Sequence, residues 1–283
     1  MSIQLIPYKP AGTIGSGPYV LREYKPDTGV DVSALSITYT GTHTDYGMVT
    51  MSDGARYRLL AFTSSGTLSI EQPVNCEVCV VGGGANGAKA AAGIGGDGGA
   101  GAYLKNQSVS AYNGGSVVVG AARGVSSIAD VSVNAVSGKN GGTGAGSLIS
   151  ATGDGLSKYP FSDDSYELWG EKPHCAGGGA GGASERNGSD GWQSILYGNG
   201  GSNGSDGSGQ IFMDGIQNAP GGSGGLYGGG NGGNATHGQC NGANATYYGS
   251  GGGGGANYYD NKAEIGNGGS GYQGIVYMRI PED

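Results

Sequence analysis

Along this chain, short stretches in which apolar and polar positions alternate give way to long runs with almost no side chains. Leu35, Ile37 and Tyr39 share one side of an extended segment, and Cys76, Val78 and Val80 share one side of another, the period of two that belongs to a strand. β-Branched and aromatic residues bounded by Gly, Asp and Ser predict strands over 32–39, 47–51, 55–62, 66–70 and 75–81. Asp53-Gly54 and Ser65-Gly66 read as tight turns. Further strands are expected over 103–109, 116–120 and 127–136, and a last one over 274–280, just before Pro281. No apolar stripe with a 3.6-residue period reaches helical length. The pattern predicts an all-β chain whose last strand rejoins the sheet after a long interruption.

Glycine supplies 66 of the 283 residues, about three times its usual share. Most of the excess lies between Gly82 and Gly271, in runs such as Gly177–Gly179, Gly228–Gly230 and Gly251–Gly255. Such runs have little to bury and lose much backbone entropy on folding. They are therefore either flexible or held by backbone hydrogen bonds between closely packed extended chains. Polyproline-II geometry gives the second option its form: three residues per turn, no internal bonds, and every N–H and C=O pointing outward. Five interruptions of the runs, at 157–174, 184–197, 210–219, 241–248 and 257–265, read as tips that join the rods.

Four prolines, Pro7, Pro10, Pro18 and Pro26, make the first thirty residues an extended arm. Residues 1–54 are read as an N-terminal arm with strands, used for attachment or oligomerisation. Residues 55–283 are read as a glycine-rich β-sandwich domain with a tract inserted over about 137–272. The formal net charge is −8, with 14 Lys and Arg and no basic cluster, which argues against nucleic-acid binding. No apolar run approaches the ~20 residues of a membrane helix, so no membrane insertion is expected. The opening residues 1–5 lack the basic and apolar regions of a signal peptide, and synthesis in a cytoplasm is expected. Asn-x-Ser/Thr triplets at Asn187, Asn203, Asn234 and Asn244 are read as chance in a chain so rich in these residues.

Several motifs resemble chemistry but have simpler readings. Gly82, Gly84 and Gly87 form a G-x-G-x-x-G after an apolar strand, yet Gly93, Gly95, Gly96, Gly98 and Gly99 forbid the helix that a dinucleotide site needs. Cys76 and Cys79 have C-x-x-C spacing, but on a strand they face opposite sides and read as two small buried residues. His174-Cys175 and His237-x-x-Cys240 hold the residue types of a Cys2His2 zinc site; incidental polar tips are the preferred reading, and no metal or cofactor is expected. Asp163, Asp164, Glu167 and Glu171 make an acidic loop whose spacing does not establish a hydrolase pair. The chain is not expected to be an enzyme.

A resemblance adds to this. The stretch Phe62-Thr63-Ser64-Ser65-Gly66-Thr67-Leu68-Ser69-Ile70, then Cys79-Val80-Val81-Gly82-Gly83-Gly84, then the glycine tract, then Gly269-Ser270-Gly271-Tyr272-Gln273-Gly274-Ile275-Val276-Tyr277-Met278-Arg279, resembles the glycine-rich domain of phage tail-fibre and tail-tip proteins. The tract is similar to the polyglycine-II domains of phage adhesins and, more distantly, to the glycine-rich region of anaplastic lymphoma kinase. The resemblance spans roughly 55–280. It implies a jelly-roll-like β-sandwich bearing an inserted polyglycine-II-type region, in a virion tail protein that recognises a bacterial host. Expected partners are a surface receptor, glycan or outer-surface protein, and other tail proteins through the N-terminal region, with the chain itself a homo-oligomer and a trimer favoured. The long, loop-interrupted tract before the closing strand departs from that pattern. The alternative is a purely structural virion protein, such as a collar, head-fibre or decoration subunit.

Tyr and Trp give binding loops rigid contact area with a polar handle. The candidate receptor-binding residues are therefore the aromatics of the tract: Trp169, Trp192, Tyr197, Tyr227, Tyr247, Tyr248, Tyr258 and Tyr259.

Overall fold

The structure, a computed structural model, describes residues 30–51, 54–91, 95–99, 101–102, 104–133, 161, 174, 178–179, 185–186, 192–193, 221–225, 228–236, 238–260 and 262–282. The fold is all-β with antiparallel pairing throughout. In chain order the strands are β1 (Ile37–Tyr39), β2 (His43–Thr50), β3 (Arg56–Phe62), β4 (Gly66–Val81), β5 (Leu104–Val118), β6 (Ser126–Ile128), β7 (Val131–Val133), β8 (Glu185–Arg186), β9 (Trp192–Gln193), β10 (Asn257–Asp260), β11 (Lys262–Ile265) and β12 (Ile275–Pro281). Eight of them form one sheet in the order β2-β3-β12-β4-β5-β6-β7, with β1 on β4; β8-β9 and β10-β11 are separate two-stranded ribbons.

The returning strand holds the centre. β12 lies between β3 and β4, pairing Met278 with both Leu60 and Val78. All six residues from Ile275 to Ile280 are buried, as a strand covered on both faces requires. On one face Leu59, Ala61, Cys79, Val81, Ile275 and Tyr277 form a core with Ala85, Ala102 and Phe161. The other face carries Leu60, Phe62, Val78, Val80, Val276 and Met278, each fully buried. Part of its cover comes from the sheet curling over: β6 lies close to β12 without pairing to it, and Gly274 N donates to Gly120 O at 2.8 Å.

Two pairs of predicted strands turn out to be single long ones. The stretches 66–70 and 75–81 are both in β4, with register shifts between Ser69 and Val74 and between Val74 and Cys76. Pro73 sits between them and has no N–H for a ladder, so the strand bulges there. The stretches 103–109 and 116–120 merge likewise into β5. The predicted strand over 127–136 breaks instead at a turn through Ala129 and Asp130, both at positive φ, giving β6 and β7. Ahead of β1 the chain turns rather than extends: Asp31 Oδ1 accepts from the amides of Ser33 and Ala34. Arg58 fixes that turn, donating to Leu35 O and Val32 O at 2.5 and 3.2 Å and pairing with Asp45 at 2.7 Å. The compact unit runs from Asp31 to Glu282. The domain boundary read at 54/55 therefore falls inside the sheet, because β1 and β2 hydrogen-bond to strands beyond it.

The first glycine stretch leaves the sheet at the end of β4. Among the described residues, 249–256 forms an axis around which six other segments stand: 82–90, 95–102, 178–179, 229–234, 240–245 and 266–273. Gly252 and Gly255 donate to Ala85 and Ala88, Gly253 and Ala256 to Ala243 and Cys240, and Gly254 to Gly179. Gly99 and Gly96 donate back to Gly252 and Gly255, Gly269 and Gly266 to Gly253 and Ala256, and Gly230 and Gly233 to Gly251 and Gly254. Five of the six neighbours are met again three residues later, so the axial chain has threefold periodicity. The six neighbours also bond to one another in a closed ring, for example Gly87 to Gly269, Gly242 to Asn267, Ala243 to Asn231, Gly179 to Gly230, Gly178 to Gly99 and Ala88 to Asp97. Side chains do not fit between such chains: a Cβ on Gly253 would stand 1.9 Å from Asn231 O, and one on Gly254 1.9 Å from Gly96 O.

Candidate functional site

The segments run alternately away from the sheet and back, which divides the tips between two ends. Residues 246–248 turn at the sheet end, where Thr246 N donates to Gly228 O. Residues 235–236 and 238–239, where Gln239 N donates to Thr236 O, and the β10-β11 ribbon stand at the far end. β8 runs beside β10, so the β8-β9 ribbon also belongs to the far end.

At the sheet end, Tyr247 and Tyr248 do not project as a binding tip. Their rings lie 5.1 Å apart and close on the fully buried His174, at 5.1 and 5.8 Å. His174 stacks on Tyr277 of β12 at 5.6 Å, and its Nε2 is 2.9 Å from Tyr277 Oη. Tyr272 closes the cluster edge-on to Tyr248 at 5.6 Å. Edge-to-face aromatic pairs at these spacings are each worth about 0.5–1.5 kcal/mol. The cluster therefore serves as the footing of the glycine segments on the sheet.

At the far end, β10 pairs Asn257 to Ile265, Tyr258 to Glu264 and Tyr259 to Ala263. Tyr258 is only 4% exposed and packs with Ala235, Cys240 and Ala256. It is a core residue of this end rather than the contact residue expected from sequence. The ribbon is covered where it leaves the glycine segments, so Ala256 and Asn257 are buried beside Tyr258. The next turn is held against the ribbon by Gly238 N donating to Glu264 Oε2 at 3.0 Å. Gly238 itself is at φ 76° with open space around it. Cys240 Sγ lies 3.4 Å from Thr236 O; burial, then the nearby Glu264, pushes its thiol up to about 11. Ile265 remains 40% exposed. In the β8-β9 ribbon, Trp192 pairs with Arg186. Besides Tyr258, Trp192 and Tyr259 are the candidates whose backbones stand in far-end ribbons.

Trp169, Tyr197 and Tyr227 lie outside the described residues, as do the acidic loop at 163–171, Cys175 and His237. His174 and Cys240, two of the four residues considered for zinc, are at opposite ends of the glycine segments. Among the described residues no three His, Cys, Asp or Glu side chains gather into a metal-binding group. Cys76 and Cys79 are both buried and free, and the ladder puts Cys79 in the core that Cys76 faces away from.

Sequence reasoning missed the asparagines that edge the bundle. Asn241 and Asn244 accept, through Oδ1, from the amides of Asn267 and Ser270, both at 2.8 Å. Asn231 and Asn234 accept likewise from Gly224 and Gly221, and Asn86 from Gly271. Backbone donors at the bundle surface have no chain beyond them, and these amide side chains take that place. The signal was a spacing of three: Asn231 and Asn234, Asn241 and Asn244. Comparison with known protein families, with curated proteins and with solved structures finds no match to this chain.

Proposed function

We propose that this chain is a phage tail-fibre or tail-tip adhesin that binds a bacterial surface receptor through loops carried on a glycine scaffold. In this reading the strands form a jelly-roll-like sandwich, and the glycine segments are a polyglycine-II-type bundle inserted between its strands. The carrying observation is the six-around-one set of backbone-bonded segments, which holds the β8-β9 and β10-β11 ribbons at the end remote from the sheet. Such chains leave few distinguishing groups along their length, so discrimination falls to loops held on a rigid support. Trp192 and Tyr259 are the contact residues proposed from the described set, with Trp169, Tyr197 and Tyr227 proposed from sequence. The receptor is a glycan or an outer-surface protein, the N-terminal region joins other tail proteins, and the chain acts as a trimer in the virion tail without catalysing a reaction. The purified protein should bind cells of the host and block phage adsorption; failure to bind any host envelope fraction overturns the reading. A structural virion subunit is the second reading, favoured by the internal packing of Tyr247, Tyr248 and Tyr258. Localising the chain within the particle separates the two.

A further inference from the structure

The curled edge of the sheet holds a groove that the far-end loops do not account for. It holds about 660 Å³ and is lined by residues 109–112 and 114–116 of β5 and by 127–130 and 132 of the β6-β7 hairpin. That volume lies within the ~300–1,000 Å³ of small-molecule sites. The backbone bends sharply to make it. Ala111, Ala129 and Asp130 are three of the five described non-glycine residues at positive φ, and Gly114 and Gly115 add φ values of 116° and 149°. Ala in that region costs about 1–2 kcal/mol, and strain of this kind gathers at ligand sites. A Cβ on Gly115 would meet nothing nearer than Tyr112 Oη at 3.8 Å, so the glycine leaves open space where any other residue would put a side chain.

The lining has a definite chemistry. Ser110, Ser116, Ser127 and Ser132 bring hydroxyls, Asp130 a carboxylate, and Tyr112 a ring whose Oη is buried without a hydrogen-bond partner among the described residues. Burial, with smaller effects from Cys76, Asp130 and Tyr39, pushes the Tyr112 hydroxyl up to about 12, so it stays a donor at neutral pH. Among the described residues no Lys or Arg lines the groove, which disfavours phosphate and other anions. The one carboxylate among the described lining residues, Asp130, is too few for a hard cation, and the serines disfavour a purely apolar guest.

We propose that this groove is a binding site for a neutral saccharide, with Asp130 and the serine hydroxyls engaging sugar hydroxyls and Tyr112 beneath them. A sugar over Gly115 would bring a hydroxyl within reach of Tyr112 Oη. The site stands apart from the far-end ribbons and does not rest on their receptor role.

The test is titration of the full-length protein, by calorimetry and ligand-observed NMR, with di- to tetrasaccharides of glucose, galactose, mannose, rhamnose and N-acetylglucosamine up to about 10 mM. At least one should bind. Asp130→Asn should weaken it about tenfold or more while leaving the fold intact, because Asn adopts the left-handed conformation readily. Ser132→Phe, at an exposed position on the rim, should block it at unchanged melting temperature. Trp192→Ala should leave it untouched, which separates this site from the far end. Absence of binding by every saccharide, or binding that survives both groove variants, overturns the proposal.

Discussion

Replacing Gly254 with Ala places one methyl group at the axis of the glycine segments. The new Cβ would lie 1.9 Å from Gly96 O, 2.6 Å from Gly96 C and 2.8 Å from Asp97 O, where real Cβ atoms essentially never approach within 3.0 Å. The 95–102 segment must therefore move by about 1.1 Å, the difference between 3.0 and 1.9 Å. All the close atoms are backbone, so no side chain can swing aside. Two bonds of Gly254, to Gly179 O and from Gly233 N at 2.8 Å each, hold it against the opposite neighbours. Shifting the axis to relieve the clash strains these instead. Stranding two buried backbone groups costs about 2–6 kcal/mol, and the lower unfolded-state entropy of Ala returns only about 0.4–1 kcal/mol. The expected net loss is about 2–5 kcal/mol. The control is Gly238→Ala at the far-end turn, with open space around it and φ 76°; it should cost about 1–2 kcal/mol for the left-handed conformation alone. Denaturant unfolding measures both, and amide exchange should show the 249–256 amides among the most protected in the wild type. If Gly254→Ala unfolds with the wild type, or those amides exchange as fast as exposed turns, the segments are not a bonded bundle.

Other expectations are brief. Tyr258→Ala should cost about 3 kcal/mol as a large-to-small core change, whereas Trp192→Ala and Tyr259→Ala should lower host attachment with little change in melting temperature; equal thermal effects from all three would refute the division. Burial pushes Cys76 and Cys79 up to about 12, so these thiols should resist alkylation at neutral pH until the chain unfolds, as peptide mapping can show. A raised acid pKa contributes stability that is present below the ordinary thiol value of 9.0 and lost as pH climbs from there toward about 12, so alkaline unfolding should begin in that window. Burial raises Asp45, but its bonds to Arg58 and Gly47 outweigh it and hold the carboxyl below the ordinary 3.8. That stability is present above the ordinary value and lost as pH falls below it, and Asp45→Asn should flatten this part of the acid unfolding curve.

The strands were legible because most carry a period-two pattern, and the last one announces itself as a run in which Arg279 alone interrupts Ile275-Val276-Tyr277-Met278 and Ile280. The mergers in β4 and β5 were less so: Pro73 and Gly114-Gly115 look like strand ends locally, and only cross-strand bonding carries the chain through them as bulges. The extended, laterally bonded state of the glycine stretches was available from backbone chemistry alone. Which segments neighbour which was not, because glycine gives one partner no advantage over another. The asparagines at threefold spacing were the missing clue, since they mark the outward side of the two segments that carry them. The placement of the tyrosines also needed the topology: Tyr247 and Tyr258 sit in similar sequence, yet an odd number of passes puts them at opposite ends.

The threefold bonding also bears on how the bundle would answer a pulling force. The 82–90, 95–102 and 266–273 segments run directly into β4, β5 and β12, so tension applied at a far-end ribbon along the axis is delivered straight to the sheet. The lateral bonds lie across that direction and are loaded in shear, several at once, rather than opened singly as in a hairpin peeled from its end. Because the pattern repeats every three residues, a segment that slips by one full turn meets equivalent carbonyls and amides again. Rupture would then proceed through re-bonded positions, giving a tether that yields in steps of one turn instead of failing at its weakest bond.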